Sequence, residues 1–212
     1  MLQKIADMKS HISKQQDIVI SEYEITDEPM ANPYLKKLSH TLRKKIENLS
    51  DELYDMTSAQ PEQAVVRLKE AIRQYPDVPQ FSNYLMMAYS KIGEWEKLDS
   101  LITENYKRYP DYLFAKLNYA ELCLRRKQID EIPIIFDDNF DLKLLYPKRK
   151  KFHIAEVIGF MGIAGIYYHE TGERKSAELC YCVLRQLNPQ HEKTRRLKGK
   201  LYPSVFSKLF RR

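Results

Sequence analysis

Glycine is scarce in this chain: six glycines are spread over 212 residues. Left-handed turns therefore have few sites, and long helices are favoured. Cysteine is scarcer still, and Cys123, Cys180 and Cys182 form neither a disulfide framework nor a metal-ligand spacing. The pair Cys180 and Cys182 fits two small residues on a helix. No long apolar run is present either. The most apolar stretch, residues 154–168, is broken by Glu156 and falls short of the ~20 residues that a membrane-spanning helix needs. It is expected to be a buried helix. The segment MLQKIADMKSHISKQQDIVI at the amino end is charged throughout and lacks the apolar centre of a signal peptide. These absences together point to a folded, cytoplasmic protein.

Catalytic patterns are missing as well. There is no glycine-rich phosphate loop with a lysine, no His-Glu-x-x-His and no serine or cysteine elbow. His11, His40, His153, His169 and His191 share no ligand spacing, and Asp137-Asp138 suits a helix end or a wet surface. No catalytic residue, cofactor or metal ion is expected.

The net charge is +6, and much of it gathers in two places. One is the run Lys148, Arg149, Lys150 and Lys151. The other is KTRRLKGKLYPSVFSKLFRR at the carboxyl end, with eight basic residues and no acidic one. Such asymmetry marks an interaction tail or a solvated end.

What the chain does contain is a repeat. Gln74-Tyr75-Pro76-Asp77 returns as Arg108-Tyr109-Pro110-Asp111, a spacing of 34 residues. Between the prolines, Phe81, Leu85, Ala88, Tyr89 and Ile92 recur at three and four and so line one helix face. Gly93 stops that helix. Trp95, Leu98, Leu101, Ile102 and Asn105-Tyr106 begin a second helix, which Pro110 closes. Leu85, Tyr89, Gly93, Trp95, Ile102 and Pro110 resemble the tetratricopeptide signature, whose unit has this length. Met86 and Leu98 stand where that signature usually has small residues. Gly165, Tyr168, Gly172, Ala177, Tyr181 and Pro189 resemble it again with the small residues in place, and Ala177 is expected at a close helix crossing.

The remaining units are irregular. Tyr119, Ala120, Cys123, Ile129 and Ile132 continue the register, with a short insertion expected at residues 141–145. The interval from Pro147 to Pro189 is longer by about two turns, so a long helix is expected from about Lys150 to Glu170. Upstream, residues 63–72 look like a second helix. Its partner would run from Pro33 to about Tyr54, with a loop at residues 57–61. The resemblance implies an all-α fold, an α-solenoid of antiparallel helical hairpins forming a superhelix, with about four units over residues 33–190 and no sheet inside. Residues 1–32 form an extension in which residues 18–25 admit an extended segment. Residues 191–212 form a basic cap or tail.

The resemblance further implies a non-enzymatic scaffold or adaptor that binds another protein's peptide or helical segment. In that family the first helix of each pair lines a concave groove. Here this selects Asn83, Met87, Ser90, Lys91, Leu117, Asn118, Glu121, Arg125, Gly162, Ile166 and His169. Asn118 fits the family's carboxylate clamp, but Asn83 and Gly159 replace its lysines, so an apolar or amphipathic segment suits the groove better. Gly159, Gly162 and Gly165 share a helix face and imply either close approach of a neighbouring helix or a floor for a bound peptide. The alternative is a basic module binding nucleic acid or an anionic membrane through Lys148, Arg149, Lys150, Lys151, Arg195, Arg196 and the tail. In the tail, Tyr202, Val205, Phe206, Leu209 and Phe210 supply apolar residues for either a cap or an anchor.

Overall fold

The computed structural model describes residues 23–28, 33–36 and 38–203. The chain is mostly helical and divides into two compact units, Met30–Glu131 and a bipartite one that joins Met1–Pro29 to Ile132–Arg212. The boundary falls inside the span expected to be one array. The rest of the expected extended segment, residues 18–22, lies outside the described residues, as do Val205, Phe206, Leu209 and Phe210.

The central unit opens with a 3₁₀ turn, Pro33–Leu35, followed by α1 (His40–Ala59). Ser39 caps α1, its Oγ accepting from the Leu42 amide at 3.3 Å. α1 therefore starts seven residues after Pro33 and runs through the expected loop. That loop shrinks to Gln60, because Pro61, the first residue of α2 (Pro61–Gln74), needs no amide partner there. α3 (Pro79–Ile92) also begins on a proline and ends at Gly93, whose φ of 77° is the left-handed cap expected of it. α4 (Trp95–Arg108) and α5 (Leu113–Arg125) follow. Consecutive helices pack on one another, and α1 also packs on α3. Their shared core includes Ile46, Leu53, Leu68, Phe81, Leu85 and Ile102.

The proline-marked helix ends are joined. The Tyr109 hydroxyl donates to the Pro76 carbonyl, and Arg108 pairs with Asp77 at 3.6 Å. Lys127 takes a φ of 58°, 34 residues after Gly93. The irregular unit thus keeps the turn while losing the glycine.

In the bipartite unit the expected second helix is broken ahead of residues 141–145, where a short insertion was expected. α6 (Glu131–Ile135) stops before Asp137 and Asp138, with φ of 52° and 57°. Aspartate tolerates that conformation better than most residues. Asp141 then caps a separate turn, α7 (Leu142–Leu145), by accepting from the Lys143 amide at 2.6 Å.

The expectation of no sheet is overturned. β1 (Glu24–Thr26) pairs in parallel with β2 (Lys151–His153), placing Ile25 beside Phe152. Phe152 is fully buried, and the Tyr23 ring meets it edge-on at 5.0 Å. The long helix therefore begins at Ile154, not Lys150, as α8 (Ile154–Glu170). The His153 side chain caps it, accepting from the Ala155 amide, while Glu156 accepts from the His153 amide. α8 is apolar nearly all round because α9 (Arg174–Leu187), α10 (Glu192–Leu201) and the strands all pack against it. Gly172 turns α8 into α9 with a φ of 85°. Ala177 on α9 is fully buried. α10 lays Thr194, Leu197 and Leu201 into the body. Among the described residues no helix is long and apolar enough to cross a membrane.

Candidate functional site

The residues selected for a groove divide between the two units. In the central unit, α3 and α5 bring together the two asparagines. Asn118 Nδ2 donates to Asn83 Oδ1 at 2.7 Å and approaches Met86 Sδ at 3.3 Å. Beside them, Gln80 Nε2 donates to the Tyr84 hydroxyl at 2.5 Å, and the Tyr84 ring meets Tyr54 of α1 at 5.3 Å. Burial, opposed by the Gln80 hydrogen bond, raises the Tyr84 pKa, so this hydroxyl stays protonated. Met87 and Glu121 are half-buried, and Ser90 and Lys91 are exposed. The result is an amide and tyrosine surface with Met87 as its thioether, running across α1, α3 and α5.

Other selected residues do not join it. Leu117 is 5% exposed and belongs to the interior. Arg125 turns to α4, where it and Arg126 grip Asp99 at 2.7 and 3.1 Å. In the bipartite unit, Gly162 and Ile166 are buried and His169 is half-buried. A Cβ on Gly162 would meet Lys193 Cδ at 2.6 Å, and one on Gly165 would meet Leu197 Cδ2 at 2.3 Å. The glycine face is thus the seat of α10, and Gly162 and Ile166 are not an open groove floor.

The basic run is also taken apart. Arg149 forms a two-pronged bond to the buried Glu156, at 3.1 and 2.7 Å, and its guanidinium lies 4.2 Å from the Phe152 ring centre. Lys151 pairs with Glu24 at 2.8 Å. Lys148 and Lys150 remain exposed. Arg149 is a structural strut and Lys151 a strand-pairing cation, which commits half of the run from Lys148 to Lys151 to structure. On α10, Arg195 is exposed and Arg196 half-buried.

Two open depressions, of about 590 and 430 Å³, flank the outer face of α4 and share Glu96, Ser100 and Glu104. Sequence reasoning missed this face, although the i, i+4, i+8 spacing of those residues marks it. Two of the cysteines are poor nucleophiles: burial pushes the Cys180 thiol up to about 12 and raises Cys123 as well. No cluster among the described residues has the makings of a metal site. Comparison with protein-family models, curated proteins and solved structures finds no match for this chain.

Proposed function

We propose that this chain is a non-enzymatic, cytoplasmic scaffold or adaptor with a tetratricopeptide-like superhelix of antiparallel helical hairpins. Its partner is another protein, taken as a peptide or helical segment on the α1, α3 and α5 surface of the central unit. Three things support the hairpin reading: the 34-residue spacing of the Tyr-Pro helix ends, the left-handed residues Gly93 and Lys127, and the Tyr109–Pro76 bond.

The observation that carries the binding surface is the Asn118–Asn83 bridge. An amide pair on neighbouring first helices still has an unused carbonyl and unused N–H groups to offer a peptide backbone. Met87 and the Tyr54 and Tyr84 rings beside it give apolar contact without a deep pocket, which suits an amphipathic segment.

A random peptide library displayed on phage and selected against the full chain tests this reading. Enriched peptides should share a pattern and lose at least about tenfold in affinity, ~1.4 kcal/mol, on Met87→Glu. They should keep it on Val66→Glu, a control on α2 that is 67% exposed. No enrichment, or equal losses on both variants, rejects the surface.

A further inference from the structure

The charge left over after Arg149 and Lys151 are assigned to structure lies mainly on α9 and α10. Together these two helices carry eight cationic side chains and two carboxylates. Arg174, Glu178, Tyr181 and Arg185 follow one another at i, i+4, i+7 and i+11, which sets them along one side of α9. On α10, Thr194, Leu197 and Leu201 are buried, so Arg195 and Lys198 face outward, and both are exposed. Tyr202 follows at i+4 from Lys198 and is 47% exposed.

The two helices meet through rings and guanidiniums. Tyr202 sits edge-on to Tyr181 at 5.7 Å. The Arg174 guanidinium lies 5.8 Å from the Tyr202 ring centre, and that of Arg185 lies 5.9 Å from the Tyr181 centre. Arg174 also pairs with Glu178 at 2.9 Å. Tyr181 is buried, but Tyr202 is open to solvent, and arginines around one exposed aromatic ring, in a chain of pI about 9.0, are a combination that suits phosphates and unpaired bases.

We propose that this outer face of α9 and α10 binds single-stranded nucleic acid. Arg174, Arg185, Arg195 and Lys198 contact phosphates, and the Tyr202 ring carries a stacked base. A bilayer fits the same charge less well. An interfacial helix must bury an apolar face in lipid, and α10 has already committed Leu197 and Leu201 to the protein interior. The outward aromatic residue is a tyrosine flanked by cations, which suits stacking. This face belongs to the bipartite unit, so the proposal stands apart from the peptide surface of the central unit.

The test uses the full chain and fluorescein-labelled oligouridine and oligothymidine, each ~12 nucleotides long. Anisotropy is read at about 50 and 200 mM salt. At least one oligonucleotide should bind, and bind more weakly at the higher salt. Arg185→Glu with Lys198→Glu should lower affinity at least about tenfold and flatten the salt slope. Tyr202→Ala should lower it about fivefold while Tyr202→Phe, which keeps the ring, stays near wild type. Lys148→Glu with Lys150→Glu should change affinity by no more than about twofold. Thermal melting confirms that each variant is folded.

Four results each overturn the proposal: no salt-dependent binding of either oligonucleotide, equal losses from the two double variants, undiminished binding by Tyr202→Ala, or binding to phosphatidylserine vesicles with none to oligonucleotides. Peptide selection on the Met87 surface reads out separately, so failure of one leaves the other standing.

Discussion

At the scale of single residues, glycines and one arginine show how neighbours set the sign of an effect. A Cβ on Gly165 would fall 2.3 Å from Leu197 Cδ2 and 3.1 Å from Cys180 Cβ. Leu197 is fully buried, so its side chain or α10 must shift against close-packed neighbours. Gly165→Ala should therefore destabilise by ~1–3 kcal/mol, despite alanine's helix preference. Gly199, on the exposed side of α10, has open space where a methyl group would stand, with nothing within 4 Å. Gly199→Ala should stabilise by about 0.5–1 kcal/mol. Urea unfolding of both variants checks the opposite signs, and a shared sign would mean that α10 is not seated as described. Arg149 is the second case. Removing it leaves the Glu156 carboxylate, 6% exposed, without its guanidinium partner, and Arg149→Ala should cost about 3 kcal/mol. Lys148→Ala, one residue away on the surface, should stay within about 0.5 kcal/mol. Equal unfolding midpoints for the two would remove the strut.

At the scale of elements, two helices of the bipartite unit start on histidine. Both His153 and His191 accept from a backbone amide through Nδ1, each at 3.1 Å, and an accepting Nδ1 must be unprotonated. A proton there also opposes the positive end of the helix dipole. For His191 the pKa is held below the ordinary histidine value, first by burial and next by Lys193, with Glu192 opposing and Arg195 adding. The folded state therefore favours the neutral ring. Its contribution is complete above the unfolded value near ~6.5 and is lost as pH falls through the lower folded value. His191→Asn keeps a capping side chain but does not titrate. The wild type should lose more stability than His191→Asn between pH 7 and pH 5, read by thermal melting. Parallel pH profiles would show that α10 does not depend on this cap.

At the scale of the whole molecule, the bipartite unit takes a strand from the segment before Pro29. Deleting residues 1–29 removes the β1 partner of β2 and the Tyr23 ring over Phe152. Amide hydrogen exchange should then speed up at residues 151–170 while the α1 to α4 amides keep their protection. Unchanged exchange in α8 would mean that the strand pair contributes nothing to that unit.

Much of the helical architecture follows from local rules that the sequence carries by itself. Pro61 and Pro79 open helices because each has no amide to leave unpaired there. Gly93 and Gly172 close them because only glycine enters the left-handed region without strain. The apolar spacing through Phe81, Leu85 and Ala88 already names a buried face. Asn83, Met87, Ser90 and Asn118 were selected through the family resemblance, and helical period adds only which side of α3 or α5 they occupy. Three features were not legible: the partner of β2, the duty of Arg149 and which helix lies on Gly162 and Gly165, where close approach of a neighbouring helix was one of the two expectations. Each depends on groups far apart in the chain. A three-residue strand has no period to detect, a guanidinium in a basic run does not reveal which carboxylate it will meet, and a glycine face is indifferent to what approaches it. Tertiary packing decided them, because burying Phe152, Glu156 and Leu197 requires partners that no local rule supplies.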